Sequence, residues 1–543
     1  MKNRILKSEN GIALLAVVVS IIILAILGFS VLHLAGTEIL QAQNAVNKTK
    51  AFYASESGIE YGVAMLNKLS REQKPTLYYD GDILENSQIP LPTVEGFTFD
   101  VLTVEKVGDV ETKVVESGPG KGLMASIQKY KITSQATSDL SDAISARLVQ
   151  WIEYQGFHLF QFAAFYEQDL ELHPGPSMTI TGRIHSNHDI YLTAGQTLSI
   201  DSYLTSSANI YDHRKPGDPG TGTVRIKDAD GYYQNMDFDS TDPDWANKAL
   251  ETWGGKVKSQ VHGIPTIELP LGAGAEPIDI IKRGDAGDPE ELQEARLYHQ
   301  ADLRIIDGVA YDKSGSVVDL TYDKDGVSVN PVDTSKSFHN YREGKDIRVT
   351  EIDVFKLTES GKFPANGILY VSTHGAGAGE QDGVRLVNGS TLPSRGLTLA
   401  TDNPLYIQGD YNLNKAPASV LCDAINVLSN SWQDLDTWQT ATNTEVNTSF
   451  VAGHTQTIDS DYGGGLENFP RFLENWGGKT YTMTGSMTSL WISEIATGQW
   501  RCGQPYYNPP VRNWGFEGIS SLSMLPPGTP VVYATHRSNW QQQ

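Results

Sequence analysis

Apolar residues run almost unbroken from Ile12 to Ala35, a stretch of 24 residues without a formal charge, broken only by Ser20, Gly28, Ser30 and His33. Beyond Gly36 the pattern thins to Ile39, Val46, Phe52, Ile59, Val63 and Leu66, spaced 7, 6, 7, 4 and 3 apart with no proline between them. Those intervals place one apolar stripe on a helix. Together the two patterns predict a continuous helix from about Ile12 to Leu69, near 85 Å long at the α-helical rise. Residues 12–35 would form its membrane-soluble half and residues 36–70 its amphipathic half.

The period then changes from helical to alternating. Within residues 71–156, "GFTFDVLTVEKV", "IQKYKITSQAT" and "AISARLVQWIEYQ" each set apolar side chains on one face. Half-buried antiparallel strands do this. From Met178 the texture shifts again, to runs of four or five strand-forming residues separated by Gly, Asn, Asp or Ser. We read residues 177–212 as a first block of stacked short strands and 366–435 as a second. Residues 213–365 read as an insertion with helices near "DWANKALETW" and "PEELQEARLYHQA", and 436–543 as a Trp-containing C-terminal region. Short strands at near-regular spacing predict a parallel β-solenoid. No strict repeat length is visible, so a β-sandwich stays open as the alternative. The expected class is α+β, mostly β: a long N-terminal helix, an antiparallel sheet, then a β-rich head with a mixed insertion.

Composition narrows the setting. The chain has 543 residues and a formal net charge of −23, which disfavours nucleic acid as a partner because phosphates need basic patches. At about 1.5 Å per residue, the first apolar run reaches roughly 36 Å, enough for the ~30 Å hydrocarbon core of a bilayer. A secretory signal has a shorter apolar region followed by a cleavage site rather than more helix. Lys2, Arg4 and Lys7 precede the run, so the short N-terminus is expected to stay cytoplasmic and the bulk of the chain to be translocated. Two cysteines, Cys422 and Cys502, exclude a disulfide scaffold but permit one bridge in an oxidising compartment, and that bridge is expected.

"GIALLAVVVSIIILAILG" after a short basic leader, followed by "AFYASESGIEYG", resembles the N-terminal segment of PilX-type minor pilins and GspK-type minor pseudopilins. The resemblance covers roughly residues 4–70. It implies a leader of residues 1–11 cut by prepilin peptidase after Gly11, with Ile12 as the methylated new N-terminus. It also implies a single-pass protein of the bacterial inner membrane, its bulk periplasmic or extracellular, that joins other pilin-like subunits in a filament. A long helix followed by an antiparallel sheet is the arrangement of a pilin head. Most major pilins carry Glu at the fifth mature position, where this chain has Ala16, and this fits a minor subunit. Glu9 and Asn10 stand where Lys or Arg is usual, and Ile12 replaces the usual Phe.

The remaining candidates for chemistry read as structure. His185 and His188 in "HSNH" are three apart, which in extended chain sends them to opposite faces. "YDKSG" and "YDKDG", Tyr311–Gly315 and Tyr322–Gly326, share only part of a calcium loop and read as hairpin turns. "DADGYYQNMDFDSTDPD", Asp228–Asp244, gathers six carboxylates; it reads as a solvated loop, with Ca2+ as the one ion it would take. "HGAGAGEQDG" lacks the Lys-Ser/Thr of a phosphate loop. The Arg283–Asp285 tripeptide "RGD" reads as chance. Asp402, Asp410 and Asp423 are the carboxylates a carbohydrate-cleaving solenoid would use, yet they lie in turn-like sequence and read as backbone caps. No catalytic residue and no resident cofactor follow. The expected function is a non-enzymatic minor pilin-like subunit of a type IV pilus or type II secretion pseudopilus, at the tip or in initiation. A membrane-anchored envelope adhesin, or a polysaccharide-acting solenoid enzyme, is the alternative.

Overall fold

A computed structural model describes residues 9–72, 82–86, 91–116, 118, 120–215, 217, 220–272, 274–459, 461–517 and 524–543. The basic residues Lys2, Arg4 and Lys7 lie outside the described residues. A single helix, α1 (Glu9–Glu72), covers 64 residues. It runs without a break, and no proline occurs in it to remove a backbone donor. Its most apolar window is wholly unburied, and it is the one helix among the described residues long and apolar enough to cross a membrane.

Three antiparallel strands follow: β1 (Phe97–Val114), β2 (Met124–Ser138) and β3 (Ser141–His158). A fourth strand comes from the far end of the chain, Val531–Gln542, which pairs antiparallel with β3. The second half of α1 lies on this sheet. Ile59, Val63, Leu66 and Leu69 form one core with Leu102 and Val104 of β1, Tyr130 and Ile132 of β2, and Leu148, Ile152 and Tyr154 of β3.

Between β3 and the last strand the chain is built from short strands paired mostly in parallel. Ala164–Tyr166 pairs with Ile184–Ser186, which pairs with Leu204–Ser206. Leu170–Leu172, Ile190–Leu192 and Ile210–Tyr211 repeat the step in a second sheet. Met178–Ile180, Thr197–Ile200 and Thr223–Lys227 repeat it in a third. Leu170, Ile190 and Ile210 stack in register, and all are fully buried. A later set, Ile368–Ser372, Leu397–Ala400, Ala418–Cys422, Ser449–Ala452 and Met487–Ser489, is likewise parallel.

The two sets meet in one 11-stranded sheet, because Met487–Ser489 pairs with Ala164–Tyr166. The chain therefore enters this sheet in the middle, builds outward to Val257–Lys258, and returns at the opposite edge with Leu303–Ile306 and Val309–Asp312. From there it builds back to the strand where it began. Segment 213–365 supplies strands at both its ends: Thr223–Lys227 extends the first set, and Lys345–Asp353 pairs in parallel with Glu380–Val387. Beside the edge strand Val257–Lys258, helix Trp245–Trp253 buries Trp245, Ala249 and Trp253 in the shared core. At the other edge the sheet finishes in an antiparallel hairpin. Covering or redirecting the edge strands keeps such a sheet from pairing with further chains.

Candidate functional site: a helix half docked and half bare

The sequence "AFYASESGIEYG" is the face by which α1 sits on its sheet. Ala51, Ala54, Ser55, Ile59 and Val63 are buried, at helical spacing along one side. Two glycines on that side set how closely the helix approaches. A Cβ on Gly58 would lie 2.3 Å from Ser134 Oγ and 2.7 Å from Phe99 Cε1. One on Gly62 would lie 2.8 Å from Ile132 Cγ2. Ser55, fully buried, shares its hydroxyl proton between the carbonyl oxygens of Ser134 on β2 and Ala146 on β3, at 2.9 and 2.8 Å. A polar side chain is tolerated in this interface because it is satisfied there.

The C-terminal strand closes the contact. Arg537 holds Glu60 with two parallel bonds, Nη1–Oε1 at 2.5 Å and Nη2–Oε2 at 2.6 Å. That guanidinium keeps the Glu60 carboxyl below its usual range. Trp540 meets Phe52 edge-on, ring centroids 6.0 Å apart.

From Ile12 to Lys50 no residue of the helix is buried. Ile12, Phe29 and Leu32 are each more than 70 % exposed, and the amphipathic stretch leaves Ile39, Leu40, Val46 and Tyr53 exposed too. A contiguous bare apolar surface of this length marks a contact with lipid or with other protein. Gly11 lies in the first turns of α1, and Ile12 and Ala16 follow on its bare part.

The other sequence candidates divide between capped turns and core. His185 is buried and His188 exposed. Asp312 accepts backbone N–H bonds from Ser314 and Ser316, and Asp323 from Asp325 and Val327, so both "YDK" segments close their own turns. In the acidic loop, Asp228 accepts from Tyr232 N and Gln234 Nε2, and Asp239 from Thr241 N and Oγ1. Among the described residues no three His, Cys, Asp or Glu side chains are placed to share a metal ion.

Asp410 accepts from Glu445 N, and Asp423 from the amides of Glu494, Ile495 and Ala496. Asp402 instead takes the Ser372 hydroxyl at 2.6 Å and His374 Nε2 at 3.1 Å, a contact that raises the His374 pKa. The Arg283 guanidinium is held by Asp307 and Ser372. The bridge expected between Cys422 and Cys502 is not formed. Both are free, Cys422 committed to the core by its strand and Cys502 exposed. Burial pushes the Cys422 thiol well above its ordinary pKa.

Sequence reasoning missed the last strand and its Arg537–Glu60 clasp. The alternation in "VVYATHRSNW" is the signal that would have found the strand, although not its partner.

No family model matches the chain, and no curated protein does. Among solved structures it is similar to the competence-associated pilin ComZ from Thermus thermophilus, with 11% sequence identity and a TM-score of 0.27. That match covers 91% of this chain and 97% of the other. So distant a likeness carries no argument, and the functional reading rests on the geometry of α1.

Proposed function

We propose that this chain is a non-enzymatic minor pilin-like subunit, of the PilX or GspK kind, in a type IV pilus or type II secretion pseudopilus. The observation that supports the reading is the division of α1. Its second half is fastened to a four-stranded antiparallel sheet by Ser55, Gly58 and Gly62, while its first half stands bare and apolar. In this reading prepilin peptidase cuts after Gly11 and Ile12 becomes the methylated N-terminus. The bare half sits in the bacterial inner membrane, then among the helices of other pilin-like subunits, while the stacked strands form a β-solenoid head outside the membrane. A head inserted between β3 and the last strand is too bulky to recur along a thin filament, which favours a tip or initiation position.

The test is the mass of the N-terminus in cells that hold an active prepilin peptidase. Loss of 11 residues and gain of one methyl group is expected, and Gly11→Val should leave the full-length chain. An intact, unmethylated N-terminus in the wild type would overturn the reading.

A further inference from the structure

The two strand sets join where Met487–Ser489 pairs with Ala164–Tyr166, but the sheet beside that junction breaks off. Leu170–Leu172 is the edge of its sheet, and the short turn Leu466–Asn468, rather than a strand, lies against it. There Glu467 Oε2 accepts the His173 amide at 3.2 Å in place of a ladder bond. A cavity of about 20 Å3 remains in this seam, and about 10–15 Å3 suffices for one water-sized group. Tyr166, Asp169 and Glu171 line it from the first set, and His454 and Arg471 from the second. Arg342 reaches it from the turn between Val332–Asn340 and Lys345–Asp353.

The charges around this cavity do not balance. Arg342 Nη2 and Arg471 Nη2 donate to one oxygen, Thr455 Oγ1, at 3.3 and 3.2 Å. Arg471 is paired with Glu343 Oε1 at 3.1 Å. Arg342 has no ion pair among the described residues, and its Nε goes to the Gly498 carbonyl at 2.9 Å. Burial, with the Arg471 charge beside it, lowers the Arg342 pKa to about 9. On the acidic side, Lys215 holds Asp169 at 2.8 Å, and burial raises the pKa of Glu171, which favours its neutral form. One guanidinium is thus left without a counter-charge beside a second, and an unpaired charge withdrawn from water is costly.

Tyr166 supplies a second, independent sign of a ligand. It is 3 % exposed, and its hydroxyl has no hydrogen-bond partner among the described residues. The partnerless hydroxyls of Tyr411 and Tyr481 are sealed in the core, whereas that of Tyr166 opens on the cavity. His454, with its ring 5.3 Å from that of Tyr166, gives Nδ1 to Ser489 Oγ and leaves Nε2 over. We propose that the cavity binds a halide ion such as chloride, held by the Arg342 guanidinium and the Tyr166 hydroxyl across the seam between the strand sets. Its size excludes polyatomic anions. A metal ion is excluded by the donors, since among the described residues no three His, Cys, Asp or Glu side chains are placed to share one. The site is independent of what α1 contacts.

The test uses the full chain in halide-free detergent and buffer, melted in sodium chloride, bromide or gluconate at one ionic strength. A ligand that binds only the folded state raises the melting temperature. Chloride and bromide should each raise it saturably over gluconate, which is too large for the cavity. Tyr166→Phe removes a hydroxyl with no partner in the chain, so its melt in gluconate should hold or rise while halide affinity falls at least fivefold. Arg342→Gln should abolish the halide response. In crystals grown with bromide, anomalous scattering should place the ion between Tyr166 and Arg342. The absence of a halide-specific rise in the wild type, a rise unchanged in either folded variant, or a bromide-grown crystal with no such peak would overturn the proposal.

Discussion

Asn187 fixes one ring nitrogen, Nε2, of the histidine two residues before it as a donor. Its Oδ1 accepts from Ile267 N and its Nδ2 donates to the Ile267 carbonyl, so the amide orientation is set. That oxygen can then only accept from His185 Nε2, at 3.0 Å, while Nδ1 lies 2.9 Å from the Thr205 hydroxyl, which also reaches the Ile184 carbonyl. Burial keeps the ring neutral by lowering its pKa to about 4. His454, nearly as deep and bonded to Ser489 Oγ, is lowered to about 4 by burial and then by Arg471. As pH falls below 6.5 the unfolded chain binds protons that these rings refuse until about pH 4. The stability they contribute is therefore complete above pH 6.5 and lost across the window from 6.5 to 4, on the order of 3 kcal/mol for each ring. Urea midpoints at pH 7.5 and 4.5 check this. The drop between them should be smaller in a His185→Gln variant, and an equal drop would contradict the assignment.

At the scale of elements, α1 is where sequence and structure agree most fully, for a physical reason. Its signals are local: an apolar run, a stripe at helical spacing and the absence of proline all lie within 64 residues. The strands β1, β2 and β3 were legible too, since alternation is a property of each segment alone. Pairing was not. Nothing near β3 reports that Val531–Gln542 lies beside it, nor does anything near Ala164 announce Met487–Ser489. The cysteines failed for the same reason: sequence placed both in a permissive compartment, but the inward face of Ala418–Cys422 decided where one of them points. The helix–sheet contact makes a sharp prediction. Gly62→Leu drives a side chain into Ile132 and Val104, and overpacking of this kind costs about 1–3 kcal/mol. Gly36→Leu has nothing within 4 Å and exchanges glycine for a better helix former, so its melting temperature should hold or rise. Thermal melts of the two variants in detergent should separate, with only Gly62→Leu lowered. Equal melts would mean that α1 does not dock through this face.

Across the whole molecule, the order of strands in space departs from their order in sequence, and that has a consequence for unfolding. In an array of repeats stacked in chain order, each unit touches only its neighbours, and one end can fray while the other stands. Here the first strand set finds its neighbour only when Met487–Ser489 arrives, and the four-stranded antiparallel sheet is complete only with the last strand. The junction is knit on both sides: Gln161 exchanges side-chain bonds with the backbone of Met124, Arg183 reaches the Lys121 carbonyl, and Tyr533 stacks on Tyr154 with ring centroids 4.7 Å apart. The two strand sets are joined at their inner ends, because the first begins mid-sheet and the second finishes against it, and they share one apolar core. Unfolding in urea should thus be one transition, with fluorescence from Trp245 and Trp253 at one edge and from Trp476 and Trp491 in the later set moving together. Single-tryptophan variants that report these positions would test it. Transitions separated in urea would show that the two sets are independent units despite the shared sheet. A chain truncated after residue 480 goes further: it leaves Ala164–Tyr166 with an unpaired edge and the antiparallel sheet without its fourth strand. It should be cleaved by protease in both regions at once, whereas loss of a terminal unit from a linear array exposes only its neighbour.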